Sequence, residues 1–371
     1  MIRLLIAAGL VALFIWNPYP FQYLELKGYD TLIMSAEAVQ NDNIILIDID
    51  EEVIEAYGGY PLPRTFYSDF IKRTNVAGIT VLMPDPDIRD RNNDYELAST
   101  MATKPTVLAS AASTQSQDLS LHVGTAELGE DPRPWLYQYP GILRTESIVA
   151  LNAKGLGVVT ATPEIDGVTR RIPLVVNVQS KLYPAFALEV LRVGLDHPSY
   201  QLKTTPEGID WIRVPGYPLM KTDGNGRIFL DWNTKFYKQT VSEFMASPID
   251  APFAIIGVTA EGVVNPTPTP AGLKYPHEVQ ANILHNLING SAPSTPIWAP
   301  AGELLGLTLG LLLVALTVSS IYISAPVIFS LIGGSMFGAW YLFQSSYLFD
   351  VTGLIIIWFL FWSIESFRNF I

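Results

Sequence analysis

The sequence predicts an α/β extracytoplasmic domain with a mostly parallel sheet, joined to an α-helical transmembrane bundle of one N-terminal and three C-terminal spans. Three observations carry this expectation. Apolar runs concentrate at the two ends of the 371 residues. Between 43 and 112, apolar strand patterns alternate with amphipathic helix patterns, as in a parallel sheet covered on both faces. Arg3 and Arg368 are the only positive charges close to the outer span ends. By the positive-inside rule they place both termini in the cytoplasm.

Residues 4–16, "LLIAAGLVALFIW", form an uncharged run behind Arg3. It is shorter than the roughly 20 residues a full span prefers. Snorkelling by Arg3 and interfacial Trp16, Tyr19 and Phe21 can extend it. Residues 1–21 are therefore expected as an N-terminal anchor. A cleaved signal peptide is the competing reading, although no small-x-small site follows and "NPYPF" is a poor one.

"NIILIDID" (43–50) reads as a buried strand ending in carboxylates, and "EEVIEAYG" (51–58) carries acids in its first turn as a helix start prefers. "YPLPR" (60–64) breaks the chain. "TFYSDFIKRTNVA" (65–77) is amphipathic, "GITVLMPDPD" (78–87) is a second buried strand, and a helix at 93–103 precedes a strand at 105–110. Residues 113–153 are punctuated by Ser, Pro and Gly and read as a long surface excursion. "LGVVTATPEI" and "VTRRIPLVVNV" then flank Asp166-Gly167, a two-residue hairpin signal. A helix at 183–195, strands at 212–216 and 226–232, and a strand running into a Gly-bearing loop at 251–262 follow. "PHEVQANILHNLING" (276–290) is a helix stopped by Asn289-Gly290. Residues 22–298 thus form the expected outer domain. The segments 299–320, 321–343 and 351–367 read as three spans, so 299–371 holds three transmembrane helices and a short cytoplasmic tail. The expected location is the inner membrane, multi-pass, with the large domain periplasmic or extracellular.

Composition removes several functions. The formal charge of −12 argues against nucleic acid, which needs a basic face. Cysteine is absent, which excludes disulfides, thiolate metal sites and thiol catalysis. The four histidines show no His-Glu-x-x-His spacing, and no P-loop, Ser-His-Asp order or metal cluster is visible. "TDGNGRIFLDW" (222–232) would put Lys221 and Trp232 at calcium-ligand positions, so it reads as a turn before a strand. No enzyme activity, cofactor or metal is expected.

The hairpin makes its two arginines unequal, because side chains alternate faces along a strand. Arg171 falls on the polar face with Glu164 as a diagonal neighbour. Arg170 falls among apolar side chains and needs a carboxylate partner, for which Asp48, Asp50, Asp85 and Asp87 are the candidates. A structural ion pair and an anion contact both remain open for Arg170.

The motifs resemble the extracytoplasmic sensory domain called CHASE, of the second type. An apolar strand ending in Asp-x-Asp-Glu and a Pro-x-Pro-Arg turn matches "ILIDIDEEVIEAYGGYPLPR" (45–64). Asp-Gly-x-x-Arg-Arg-x-Pro-Leu matches "DGVTRRIPL", and a Pro-x-x-Ala-Leu helix matches "YPAFALEVLRVGL". Near the end, "IIGVTAEG", "TPTPAG" and "PHEVQANILHNLING" follow in the family's order. The family usually has His where Gln280 stands; here His277 precedes Glu278 instead, and "VLMPDPDI" is shifted from the family's pattern. The resemblance implies a non-enzymatic sensory or interaction protein that detects a ligand or partner and signals through its membrane bundle. Family members commonly continue into a cyclase or kinase, whereas this sequence ends at Ile371. A structural subunit of an envelope complex and the sensory half of a receptor cyclase or kinase are the alternatives.

Parallel sheets place ligand sites beyond the carboxyl ends of their strands. Asp48, Asp50, Arg64, Asp87, Thr259 and Glu278 are therefore expected to converge there, with Arg170 as a further ligand or ion-pair candidate. In the membrane, Gly302, Gly306 and Gly310, and then Gly334 and Gly338, recur at four-residue spacing. Such faces let helices approach closely, within one subunit or between subunits. The expected partners are the lipid bilayer, an unknown small ligand, and a membrane protein or a second copy of the chain.

Overall fold

The computed structural model describes residues 2–88, 90–115 and 124–370; His122 lies outside them. The chain forms two compact units, Met1–Ala36 with Pro293–Ile371 and, between them, Glu37–Ala292. The helical unit thus takes in residues 22–36 and 293–298 besides the segments assigned to it from sequence.

Among the described residues of the Glu37–Ala292 unit, seven strands form the main sheet. Val39–Ile49 lies between Thr234–Thr240 and Phe253–Val258, followed by Val76–Ile79 and Thr106–Ser113, all neighbours being parallel. Thr106–Ser113 also pairs with Gly155–Val158 in parallel and with Gly141–Arg144 antiparallel. Parallel neighbours cannot be joined by tight turns. Helices Glu51–Ala56, Arg64–Lys72 and Arg91–Thr103 accordingly fill the crossovers.

The period of two sorts each strand. Ile45, Ile47, Ile49, Ala77, Ile79, Leu108, Ala254 and Ile256 share one buried cluster with Phe66, Phe70, Leu97 and Met101 of the crossover helices. The opposite face presents Gly78, Gly157 and Gly257 to helices Phe186–Gly194 and Pro276–Asn289. No Cβ fits at Gly157 or Gly257, because Phe186 backbone and the His277 ring occupy that space. Small residues here let both helices close onto the sheet.

Several expected elements differ. The second buried strand is short, Val76–Ile79. The excursion at 113–153 contributes Gly124–Leu128, parallel to Ser199–Thr205, besides the sheet strand Gly141–Arg144. The long hairpin about Asp166-Gly167 does not form. Gly155–Val158 joins the main sheet, and Arg171–Pro173 pairs with Arg227–Phe229. Around the turn, Glu164 bonds Val168 O at 2.9 Å and accepts from Gly167 N at 2.9 Å, a three-residue loop with Gly167 at φ 78°. The two-residue hairpin lies further on, where Val178 opposes Lys181 across Gln179 and Ser180, both at positive φ. Mirror-type turns need that geometry.

In the helical unit, Ala299–Thr317 and Ile321–Phe343 are long and apolar enough to cross a membrane. Thr352–Phe370 is also a helix, but it carries Glu365 and Arg368 and does not reach the same apolarity. Length and composition therefore support two C-terminal spans rather than the three expected. Ile2–Trp16 and Tyr19–Ser35 qualify only together and are bent by 68°.

Candidate functional site

Asp48 lies near the carboxyl end of its strand, beside Gly257 in the register. His277, the second residue of the Pro276–Asn289 helix, is fully buried, and its Nε2 is 2.7 Å from Asp48 Oδ1. A carboxylate oxygen accepts, so in this contact the imidazole Nε2 is the donor. The ring stacks on Tyr275, with centroids 6.3 Å apart. Glu278 accepts from Tyr275 N at 2.7 Å, capping its own helix, and pairs with Lys238 of the edge strand. Gln280 accepts from Ala187 N at 3.2 Å and so ties this helix to Phe186–Gly194. A turn lower, His285 Nδ1 meets Asn41 Nδ2 at 2.8 Å and Asn289 Nδ2 at 3.2 Å. Burial pulls the His285 pKa below the ordinary value, against the opposing pull of Asp231.

The expected convergence of the remaining candidates is not what the structure builds. Asp50 caps the Glu51–Ala56 helix by accepting from Val53 N at 3.0 Å. Thr259 N donates to Ile49 O at 2.9 Å, one strand over. Arg64 turns elsewhere: it is buried, its Nε is 2.9 Å from Asp94 Oδ1, and it donates to Asp85 O. Asp94 also accepts from Asp87 N at 2.8 Å, while the Asp87 carboxylate accepts from Asn93 at 3.0 Å. Asp94 is the member sequence reasoning missed. Its only signal was an acid in the first turn of a polar-looking helix.

Arg170 is fully buried and pairs with Asp166 through two bonds of 2.8 Å. Its bidentate partner is thus the turn aspartate, a residue outside the expected set. The two residues are four apart across the tight loop, which folds Asp166 back over the strand that follows. Arg171 grips Glu164 through bonds of 2.6 and 2.7 Å and lies over the Phe229 ring. Burial disfavours its charge, yet Glu164 and Asp223 outweigh that and raise its pKa.

A crevice of about 320 Å³ opens beside this turn, lined by Val159, Ala161, Pro163, Thr169, Pro268 and Val279 among others. Small-ligand pockets start at about 300 Å³. Its walls come from the segments after Gly155–Val158 and Phe253–Val258 and from the start of the Pro276–Asn289 helix. That is the carboxyl-end position at which α/β sheets hold ligands.

In the helical unit, Glu365 is buried and pairs with Arg3 at 2.9 Å and with Arg368. Asn369 donates to Val318 O at 3.0 Å and lies 3.4 Å from Arg3. The start of Ile2–Trp16 and the ends of Ala299–Thr317 and Thr352–Phe370 therefore meet in one cluster. The glycine faces divide. Gly310 packs on Trp358, whose Nε1 donates to Leu307 O at 3.2 Å, and Gly306 and Gly302 face Leu354 and Phe349. Gly334 and Gly338 have no described atom within 4 Å of where a Cβ would stand.

A mostly parallel α/β sheet domain followed by two helices long and apolar enough to cross a membrane defines the class, an α/β domain joined to candidate membrane spans. The chain belongs to the CHASE2 domain family, which matches residues 6–318. The match begins inside the first helix and ends just past Ala299–Thr317, so it covers the sheet domain and both flanks. CHASE2 is a sensory domain family. No curated protein and no solved structure matches the chain.

Proposed function

We propose that this protein is a non-enzymatic multi-pass membrane sensor. Its Glu37–Ala292 domain lies outside the cytoplasm, detects a small ligand or partner at the carboxyl end of the parallel sheet, and signals through its helices to a separate membrane protein. The Arg3–Glu365–Arg368 cluster carries this reading. It gathers both chain ends at one end of the bundle, where the positive-inside rule favours the cytoplasm. Thr352–Phe370 then serves as a third C-terminal span, its charges lying at that end. The N-terminal helix is retained in this reading, because its loss would deprive buried Glu365 of Arg3 and uncover the Leu10 contacts with the bundle core. The internal pairing of Arg64 and Arg170 favours a second reading, a structural subunit of an envelope complex that binds no small ligand.

The cysteine-free sequence makes the topology directly testable. Glu207→Cys, on an exposed turn of the sheet domain, should react with an impermeant thiol reagent in intact spheroplasts. Ser319→Cys, between Ala299–Thr317 and Ile321–Phe343, should react only after permeabilisation. The reverse pattern overturns the sensor topology.

A further inference from the structure

The corner after the N-terminal helix is built, not frayed. Asn17 takes a left-handed backbone (φ 44°) and Pro18 follows, which ends the first helix. Asn17 Nδ2 donates to Glu25 Oε2 at 3.0 Å, and Gln22 Nε2 donates to Asn17 O at 2.8 Å. Both bonds pin the second helix to the corner, and Asn17 N donates to Leu13 O at 3.1 Å, which ties the corner to the first helix across the 68° bend.

The two arms do different things. Ile2–Trp16 runs antiparallel beside Thr352–Phe370: Arg3 pairs with Glu365 at one end, and Phe14 lies against Gly353 at the other. It therefore covers the depth of that helix. Tyr19–Ser35 instead crosses the start of Thr352–Phe370, where Gly28 touches Thr352 and Glu25 faces Gly353. A 68° turn leaves its axis closer to the end plane of the bundle than to the bundle's length.

Pro20, Leu24, Thr31 and Met34 are exposed and, with the half-buried Lys27, recur every three or four residues on one face, with exposed Tyr23 at its edge. Lys27 holds its ammonium 5.5 Å from the Tyr23 ring centroid. Tyr23, Leu24 and Met34 are exposed beside the Lys27–Asp30 ion pair, with Trp16 and Tyr19 exposed at the corner, and Trp and Tyr are the residues that the headgroup layer selects. The preceding helix Ile2–Trp16 likewise exposes Leu4, Leu5 and Ile15.

We propose that Tyr19–Ser35 is an interfacial helix, lying in the headgroup layer of the outer leaflet with the lipid surface as its partner. This rests on the bundle being embedded as proposed above, but the test below reads depth and not sidedness, so the two can fail separately. The full chain would be reconstituted in phosphatidylcholine vesicles with single cysteines at Leu24, Thr31 or Leu309, each bearing an environment-sensitive fluorophore. Leu24 and Thr31 are exposed on the proposed lipid face, and Leu309 is exposed within Ala299–Thr317. Quenching is compared between phospholipids with a nitroxide near the headgroup and near the chain end. The expected shallow-to-deep quenching ratio is above one at Leu24 and Thr31 and below one at Leu309. A ratio below one at Leu24 and Thr31 would make the segment a membrane-crossing arm. Quenching by neither lipid there would assign the face to water or protein. Either result overturns the proposal.

Discussion

Both faces of the parallel sheet bury apolar side chains, with Ile44, Leu46, Phe253 and Ile255 on the second, but that second face adds a set of buried polar contacts. On one, Ile45, Ile47 and Ile49 meet Phe66, Phe70, Leu97 and Met101, a cluster made of hydrophobic side chains. On the other, Asp48 meets His277, Asn41 meets His285, and Gln280 and Asn286 bond backbone amides of 187 and 231. Apolar burial is non-directional and tolerant of pH. Buried hydrogen bonds are directional, cost stability when one partner is lost, and respond to titration. The difference teaches where directional contacts concentrate: apolar packing buttresses both faces, and the face next to the crevice adds buried polar groups, among them His285, whose charged form burial disfavours.

Substitutions sharpen that contrast. Phe70→Ala on the first face should cost about 3–5 kcal/mol, since it empties a fully buried aromatic site. Arg170→Ala, beside the crevice, should cost about as much, ~3–5 kcal/mol, because it leaves the nearly buried Asp166 carboxylate without its bidentate partner. Arg171→Ala should fall lower, at about 1.5–3 kcal/mol, the range for hydrogen bonds to charged groups. That exceeds what a surface pair alone would give. Asp48→Ala should cost about 1–3 kcal/mol by stripping His277 of its acceptor. Pulse proteolysis of the sheet domain within the reconstituted chain reads all four. Equal costs for Arg170→Ala and Arg171→Ala would break the claim that burial separates them.

Much of the fold was legible because periodicity reports burial. The strand that carries Asp48, the crossover helices and the Pro276–Asn289 helix with its Gly290 stop all follow from local pattern. Gly290 adopts φ 66°, as a left-handed helix stop requires. The site was less legible, because partners depend on tertiary placement. Asp166-Gly167 carried a hairpin signal, yet the flanking strands found better partners in other sheets. Arg64 was singled out from its motif, but nothing local marks Asp94, thirty residues on, as its mate. His277 was displaced by three positions from the expected histidine, and only the absent Cβ of Gly257 explains how its ring reaches Asp48. In the bundle, two similar glycine spacings proved unequal because only one has Trp358 opposite it.

The most direct test of the contrast is hydrogen exchange of the full chain in nanodiscs at about pH 7.5 and about pH 5.5, corrected for intrinsic rates. Burial holds the His285 pKa down in the folded state. The opened helix then binds the proton more readily, near the ordinary histidine value of about 6.5. The stability tied to neutral His285 is therefore complete above that value and is lost as the pH falls below it. The account predicts that amides of Pro276–Asn289 lose protection at the lower pH relative to Arg64–Lys72 and Arg91–Thr103, and that His285→Gln abolishes the difference. Loss of protection by the same factor on both faces, or no change on either, would contradict it.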